Sequence, residues 1–202
     1  MTIDEIMRAA PVIPVLVLDG EGDWAELAET FVGSGLAVLE VTLRTPSALD
    51  AIARMSKVEG AIVGAGTVLN EQQLDQTLDA GAKFIVSPGL TKPLAKAVER
   101  SKTAFLPGVA SAGDIMRGLD LGLERFKFFP AEAAGGIPAL KALSGPFSKI
   151  RFCPTGGIRP DTASEWLALE PVLCVGGSWL YRSGDSMDEV EERARAAFAL
   201  RG

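Results

Sequence analysis

A lysine stands inside an apolar run in the segment "RFKFFPAE", residues 125–132. Its phenylalanine neighbours favour a buried strand, where an unpaired charge is costly. Because side chains alternate along a strand, Phe126 and Phe128 would pack on one face, and Lys127 and Phe129 on the other. Lys127 either extends its ammonium group to water along an apolar stem or is a desolvated amine able to attack a carbonyl carbon. We favour the amine, because Lys127 lies two places before the end of its strand rather than at a rim.

A second polar group interrupts the apolar segment "LAVLEVTLRT", residues 36–45. Glu40, Thr42 and Arg44 share one face of the predicted strand, and leucines and valines occupy the other. Three polar side chains on one face indicate a lined cavity. The alternative is a solvated strand end, in which Arg44 and Glu40 form a structural ion pair.

Glycine-rich segments end three further strands: "GAGT" (64–67), "PTGG" (154–157) and "VGGS" (175–178). Glycine permits close approach of the backbone and exposes N–H groups to an anion. The last two segments follow the seventh and eighth predicted strands, where barrel enzymes often bind phosphate. We therefore expect a phosphate site there, and we expect Pro88, in "SPG" (87–89), to form a pocket wall.

Together these groups indicate a reaction class. An inward lysine, an inward glutamate, a nearby arginine and a phosphate site suit Schiff-base chemistry on a phosphorylated keto acid. Lysine would form the imine, arginine and a hydroxyl would hold the carboxylate, and glutamate would move protons.

Composition excludes several other classes. The chain has 202 residues and no histidine, which removes the usual imidazole base and the commonest zinc ligand. The acidic residues are not grouped at ligand spacing, so we expect no metal. A net charge of −6 disfavours binding to nucleic acid or to an anionic membrane.

Cysteine usage and the N-terminal segment predict a cytoplasmic protein. Cys153 and Cys174 each lie in an apolar run, which is not a disulfide framework and suits a reducing compartment. The segment "MTIDEIMRAA" is acidic and amphipathic, unlike a signal peptide. No apolar run approaches the roughly 20 residues of a membrane span.

Eight short apolar runs, each followed by a segment with helical spacing, must position these residues. The runs are 12–18, 36–43, 60–66, 82–88, 103–109, 125–130, 150–157 and 172–178. Such alternation predicts parallel strands with right-handed crossovers, and eight units fit a compact (β/α)8 TIM barrel. Residues 1–202 would form a single domain, with "MTIDEIMRAA" as an extra helix closing the bottom of the barrel. An open doubly wound sheet is the alternative, weakened by the missing G-x-G-x-x-G motif.

One residue conflicts with this pattern. Pro14 lies in the first run, and a closed barrel has no edge strand to accept a residue without an N–H group. We therefore expect the first regular strand to begin at or after Pro14.

Six segments in collinear order, between about Val12 and Trp179, resemble the family of 2-keto-3-deoxy-6-phosphogluconate (KDPG) and 4-hydroxy-2-oxoglutarate aldolases. The segments are "LEVTLRT" (39–45), "VGAGTVLN" (63–70), "SPGLT" (87–91), "FKFFPAE" (126–132), "RFCPTGG" (151–157) and "VLCVGGSW" (172–179). The resemblance implies a metal-independent class I aldolase with a (β/α)8 barrel, a homotrimer of the Entner–Doudoroff pathway that releases pyruvate.

The resemblance also assigns roles to residues. It makes Lys127 the Schiff-base lysine and Glu40 the general acid and base. Around the pyruvate carboxylate and its pocket it places Arg44, Thr67, Pro88, Phe129 and Thr155. In the phosphate site it places Gly156, Gly157, Gly177 and Ser178.

Three alternatives stay open. The related 2-keto-3-deoxy-6-phosphogalactonate aldolases match less well at the second and sixth strands. A phosphosugar isomerase or epimerase would share the phosphate site but would not need the lysine. A barrel that serves only as a scaffold or phosphate-ligand binder would need neither Lys127 nor Glu40.

Overall fold

The computed structural model describes residues 1–200, in which eight parallel strands alternate with helices. The strands are β1 Val12–Leu16, β2 Val38–Thr42, β3 Ile62–Gly66, β4 Phe84–Ser87, β5 Ala104–Val109, β6 Arg125–Phe128, β7 Arg151–Pro154 and β8 Val175–Gly177. The helices are α1 Ile3–Arg8, α2 Trp24–Gly33, α3 Ala48–Met55, α4 Glu71–Asp79, α5 Lys92–Ser101, α6 Ala112–Asp120, α7 Gly136–Ser144, α8 Ala163–Leu167 and α9 Met187–Phe198. Each strand lies within one of the eight predicted apolar runs.

The strands form a barrel. Their order is β7-β6-β5-β4-β3-β2-β1-β8. Parallel bridges from Phe152 to Val172 and from Thr155 to Gly176 join the β7 segment to the β8 segment. The predicted (β/α)8 TIM barrel is therefore confirmed.

The expected start of the first strand was wrong, because β1 begins at Val12 and contains Pro14. Val12, Ile13 and Pro14 pair with β8, whereas the pairing with β2 begins at Val15. Pro14 is thus the last residue of β1 that bridges to β8, and the bridges to β2 begin one residue later. Its missing N–H group therefore lies where the bridges pass from one neighbouring strand to the other.

Local signals in the sequence set the ends of the helices. Ser111 forms a capping box with Asp114 at the start of α6, and Asn70 accepts a hydrogen bond from the Gln73 N–H group at the start of α4. After α4 and α6 the chain turns at Gly81 and Gly122, whose φ angles are 100° and 74°. Glycine adopts this left-handed conformation without a steric penalty.

The lower half of the barrel interior is filled with apolar side chains. Six strand residues and Cys174, just before β8, meet there: Ile13, Val38, Phe84, Val86, Leu106 and Cys153 are the strand residues. Ile6 and Met7 of α1 pack against this cluster, so α1 closes the bottom of the barrel as predicted. This cluster therefore fills the barrel interior below the carboxyl ends of the strands.

Both cysteines are buried and free. A hydrogen bond with Cys153, followed by burial, raises the pKa of the Cys174 thiol well above its usual value. The two thiols are therefore apolar core groups rather than nucleophiles. Within residues 1–200, every helix is too short or too polar to cross a membrane.

Polar contacts at both ends hold α1 in place. Thr2 and Glu5 form a capping box at its start. Asp4 accepts hydrogen bonds from Arg8 at 2.7 Å and from Arg125, at the start of β6, at 2.5 Å. The hydrogen bond to Arg8, and then the one to Arg125, holds the pKa of the Asp4 carboxyl below its ordinary value of 3.8.

We predict that Asp4→Asn lowers the free energy of unfolding at pH 7 by about 1 kcal/mol, because water screens an ion pair that is partly exposed. A carboxyl group whose pKa is depressed by folding stabilises the fold above its unfolded-state pKa. That contribution disappears as the pH falls through the lower folded-state pKa. The free energies of unfolding from urea titrations of the two proteins should therefore converge as the pH falls below the folded-state pKa of Asp4.

Asp50→Asn is the matched control, because Asp50 pairs with Arg54 on the surface of α3 and both side chains are more than half exposed. Its effect should be close to zero. Equal losses for the two variants would contradict a special role for Asp4 in fastening α1.

Candidate active site

The centre of the site is an ion pair across the barrel. Lys127 of β6 donates hydrogen bonds from Nζ to Glu40 of β2, at 2.9 Å to Oε1 and 3.2 Å to Oε2. Their strands are four apart in the order of the sheet, so the two side chains reach across from opposite walls. The side chains are only 7% and 4% exposed.

This geometry decides between the alternatives left open by the sequence. Lys127 does not extend to water, and Glu40 pairs with Lys127 rather than with Arg44. Burying either charge alone would cost several kcal/mol, so each group keeps the other inside. The distance of 2.9 Å between Nζ and Oε1 is short enough for a proton to pass directly between the two groups.

The phenylalanines around Lys127 divide between two faces as predicted. Phe126 and Phe128 are fully buried in the outer core, where Phe128 contacts Trp166. Phe129 lies on the Lys127 side, with its ring centroid 5.5 Å from Nζ. The negative face of this ring stabilises a cation at Nζ and forms an apolar wall beside it.

Arg44 stands just beyond the end of β2, with an exposed side chain. Its backbone N–H group donates to the Thr42 carbonyl oxygen at 2.8 Å, and the buried Thr42 hydroxyl donates to the Leu16 carbonyl oxygen at 2.9 Å. Within residues 1–200, no hydrogen bond or ion pair occupies the Arg44 guanidinium group. It is therefore available to bind an anion at this rim of the barrel.

Thr67 follows β3 in an unusual conformation. Its φ angle is 61°, in the left-handed region that β-branched residues rarely adopt. Strain of this kind costs on the order of 1–3 kcal/mol and concentrates at functional sites. Nothing in the sequence indicates this left-handed conformation, because residue 67 is neither glycine nor asparagine.

Pro88 follows β4, and a short turn fixes it. The buried Ser87 hydroxyl donates to the Gly89 carbonyl oxygen at 2.7 Å. The Pro88 carbonyl oxygen packs so closely on Gly108 of β5 that a Cβ at Gly108 would overlap it. Pro88 thus has little freedom to move, as a pocket wall requires.

Thr155 follows β7 and is buried. Its hydroxyl donates to the Cys153 carbonyl oxygen at 3.3 Å. On the neighbouring strand, a Cβ at Gly176 would overlap this hydroxyl and lie 2.8 Å from Cγ2. The missing side chain of Gly176 therefore makes room for Thr155.

The predicted phosphate residues lie on adjacent segments. Gly156 and Gly157 follow Thr155 with φ angles of 102° and 83°, and the bridge from Thr155 to Gly176 brings them beside the end of β8. Gly177 is buried in β8, and the next residue, Ser178, is exposed. Exposed backbone and one hydroxyl group at neighbouring strand ends can receive a small anion.

Contacts that the sequence did not indicate support this loop. The Glu132 N–H group donates to the Gly156 carbonyl oxygen at 3.1 Å. The Glu132 carboxylate accepts a hydrogen bond from Trp166 Nε1 at 3.1 Å, and Cβ and Cγ of Glu132 lie where a side chain at Gly157 would be. Glu132, the last residue of "FFPAE", thus links the loop after β6 to the loop after β7.

The inward glycines were also assigned incompletely. For "GAGT" we expected only close approach of the backbone and exposed N–H groups. In the structure, Gly64 makes room for the Phe84 ring and Gly66 makes room for the Glu40 carboxylate. Strand alternation places both glycines on the inner face, which was the available signal. What fills each space depends on the neighbouring strand.

Glu40 and Lys127 lie within β2 and β6, and the other predicted site residues lie at or just beyond the carboxyl ends of their strands, but contacts do not join them all. Lys127, Glu40 and Phe129 are in contact, and Thr155 adjoins the glycine loop. Arg44, Thr67 and Pro88 line the ends of three consecutive strands, β2 to β4. Across residues 1–200, no three His, Cys, Asp or Glu side chains are grouped so that they could hold a metal ion.

The relatives that match this chain at high sequence identity are aldolases. A family model described as KDPG and KHG aldolase matches residues 3–193. This match extends beyond both ends of the region from Val12 to Trp179 that contains the six resembling segments. The chain is 58% identical over 182 residues to the 2-dehydro-3-deoxy-phosphogluconate aldolase of Zymomonas mobilis, covering 90% of this chain and 88% of that protein.

Two solved structures are similar throughout. The 2-keto-3-deoxy-6-phosphogluconate aldolase of Zymomonas mobilis ZM4, crystallised with 3-phosphoglycerate, superposes with a TM-score of 0.96 at 55% identity, covering 98% of this chain and 96% of that chain. KDPG aldolase from Legionella pneumophila, with pyruvate captured as a covalent carbinolamine intermediate, gives 0.92 at 42% identity, covering 98% of both chains.

The family match covers the strands that carry all of the candidate residues, and the relatives align over nearly their whole length. This chain therefore belongs to the KDPG and KHG aldolase family and is an aldolase, a carbon–carbon lyase.

Proposed function

We propose that this aldolase reversibly cleaves 2-keto-3-deoxy-6-phosphogluconate to pyruvate and D-glyceraldehyde 3-phosphate through a Schiff base on Lys127. The observation that carries the proposal is the buried hydrogen bond between Lys127 and Glu40. A nucleophilic amine and a proton carrier lie in direct contact and away from water. The similarity to the 2-dehydro-3-deoxy-phosphogluconate aldolase of Zymomonas mobilis supports the substrate, and the covalent pyruvate adduct in the Legionella pneumophila enzyme supports the chemistry.

Imine formation begins at the ion pair. Glu40 takes a proton from the Lys127 ammonium group, and the free amine attacks the carbonyl carbon of the substrate. The carbinolamine hydroxyl group then leaves as water after Glu40 returns a proton to it. The product is a protonated imine, whose positive charge faces the Phe129 ring.

Cleavage uses the same carboxylate a second time. Glu40 accepts the proton of the hydroxyl group on the carbon that becomes the aldehyde. The carbon–carbon bond breaks, and its electron pair moves into the imine to give an enamine and glyceraldehyde 3-phosphate. Glu40 then protonates the enamine carbon, which becomes the methyl group of pyruvate, and water releases the imine. Glu40 thus carries each proton between groups that are all within reach of Oε1.

The two ends of the substrate are held by different residues. Arg44, with the hydroxyl groups of Thr67 and Thr155, would hold the carboxylate, while Pro88 and Phe129 would enclose the carbon that forms the imine. The phosphate would lie on Gly156, Gly157, Gly177 and Ser178. The relative crystallised with 3-phosphoglycerate supports a site for a phosphorylated three-carbon acid in this family.

The wider setting is part of the same proposal. We expect activity toward 4-hydroxy-2-oxoglutarate, which yields pyruvate and glyoxylate, and we expect turnover without a metal or an organic cofactor. We also propose a homotrimer that acts in the cytoplasm in the Entner–Doudoroff pathway. The family match supports these points, and it disfavours an isomerase, an epimerase or a scaffold.

Trapping with borohydride tests the imine. We predict that pyruvate and borohydride add the mass of one reduced pyruvate to the peptide that contains Lys127. Lys127→Arg should abolish trapping and lower kcat on the order of 10⁴-fold or more, because it keeps the charge but not the nucleophile. Lys141→Arg, an exposed control on α7, should behave like the unmodified protein. An adduct on another lysine, or a fully active Lys127→Arg variant, would contradict the proposal.

Variants at the two ends of the proposed substrate site should distinguish the residue that binds the carboxylate from the residue that binds the phosphate. Losing a hydrogen bond to a charged group costs roughly 1.5–3 kcal/mol, or about tenfold to a hundredfold in binding. Arg44→Ala should therefore raise KM for KDPG and for 4-hydroxy-2-oxoglutarate alike. Ser178→Ala should raise KM for KDPG alone, because only that substrate carries phosphate. Arg54→Ala and Ser183→Ala are the controls, and reversed substrate dependence would refute these assignments.

The sugar configuration is tested by measuring pyruvate release from the gluconate and galactonate epimers side by side. We predict a higher kcat/KM for the gluconate compound by about tenfold or more, since misplacing one hydroxyl group leaves a polar group unpaired. The segments "LEVTLRT" and "FKFFPAE" motivate this preference. Equal or reversed values would replace the proposed substrate with 2-keto-3-deoxy-6-phosphogalactonate.

A further inference from the structure

Gly66, the last residue of β3, is in direct contact with Glu40 of β2. A Cβ built on Gly66 would overlap Oε1 of Glu40 and lie 2.8 Å from Cγ and 2.9 Å from Cδ. These three atoms are its nearest neighbours, and real Cβ atoms almost never approach another group so closely. The space a side chain would occupy at residue 66 is therefore filled by the Glu40 carboxyl group.

The same carboxylate oxygen faces Lys127. Oε1 accepts the shorter of the two hydrogen bonds from Nζ, at 2.9 Å, and Oε2 accepts the other at 3.2 Å. Gly66 and Lys127 thus both adjoin Oε1. Any side chain at residue 66 would displace the oxygen that takes part in proton transfer.

The surroundings leave the carboxyl group little room to move aside. Glu40 is 3% exposed, and the Phe84 ring already fills the space beside Gly64, the preceding inward residue of β3. The backbone is fixed as well, because Thr42 pairs with Gly66 and the Leu43 N–H group donates to the Gly66 carbonyl oxygen at 2.8 Å. The two strands cannot separate without breaking this ladder.

We propose that Gly66 is a positioning residue, whose missing side chain holds the Glu40 carboxylate against Lys127. The proposal rests on the role of Glu40 given above. A displaced Glu40 carboxylate slows every proton transfer, but the Lys127 amine stays in place, so the imine still forms, more slowly, and accumulates until borohydride has trapped it. The two steps can be measured separately with pyruvate alone.

The test compares borohydride trapping of pyruvate with exchange of the pyruvate methyl protons in deuterated water, followed by NMR. Exchange requires proton transfer between the imine and its enamine. We expect Gly66→Ala to be trapped to one adduct per chain and to exchange about 10²-fold more slowly, as expected when a positioned acid–base group is lost. Glu40→Gln provides the reference for this pattern.

Gly64→Ala is the matched control. It adds the same methyl group on the same face of the same strand, but the methyl group meets the Phe84 ring instead of Glu40. It should lower the unfolding temperature without slowing exchange in the folded protein. Wild-type exchange in a folded Gly66→Ala variant would overturn the proposal. Loss of trapping together with exchange would also overturn it, because the methyl group would then be blocking the substrate.

Shortening Glu40 gives a second test that does not depend on activity. Glu40→Asp withdraws the carboxylate from Gly66, so adding Gly66→Ala to it should destabilise the chain less than Gly66→Ala alone. Thermal unfolding of the four proteins in this cycle measures the coupling. Equal destabilisation by Gly66→Ala in the wild type and in Glu40→Asp, or a double variant that fails to fold, would contradict the proposed contact between residue 66 and the Glu40 carboxylate.

These readouts separate the two proposals. A wild-type chain that traps no pyruvate would refute the Schiff-base function, while the unfolding cycle would still decide whether Gly66 positions Glu40. Trapping in the wild type together with additive unfolding temperatures would refute only the role of Gly66.

Discussion

The rest of the site depends on one buried ion pair, between Lys127 and Glu40. Two opposite charges, with side chains 7% and 4% exposed, stabilise each other in an interior where either alone would be costly. A purely structural barrel could replace both with apolar residues of similar volume without loss of stability. We propose that the pair is present because the chemistry needs an amine and a proton carrier in contact and away from water. The barrel supports this arrangement because β2 and β6 face each other across its axis.

The placement of large and small inward residues explains why the pair has space above it. Below it, side chains such as Phe84 and Leu106 fill the barrel, and α1 closes the bottom. At the upper level, Gly66, Gly108 and Gly176 leave room for Glu40, for the Pro88 carbonyl oxygen and for the Thr155 hydroxyl. Apolar side chains thus fill the lower part of the barrel interior, while glycines at the upper level accommodate polar groups of the proposed site.

Periodicity predicted the elements well because it is a local property. Alternation along "RFKFFPAE" correctly placed Lys127 inward and Phe126 and Phe128 outward, and the eight apolar runs matched the eight strands. The contact between Lys127 and Glu40 joins residues 87 positions apart, so only closure of the barrel reveals it. The start of β1 was predicted wrongly for the same reason, because whether a strand can contain Pro14 depends on which neighbouring strand this residue pairs with. The space filled at Gly66 likewise depends on a side chain of another strand.

The central claim is that Lys127 is the nucleophile and Glu40 its proton carrier. A crystal structure of the chain soaked with pyruvate tests it most directly. The account predicts continuous density between Lys127 Nζ and the pyruvate carbonyl carbon, with the Glu40 carboxylate within hydrogen-bonding distance of the adduct and the pyruvate carboxylate toward Arg44. Pyruvate bound without a covalent bond, or attached to another lysine, would contradict it.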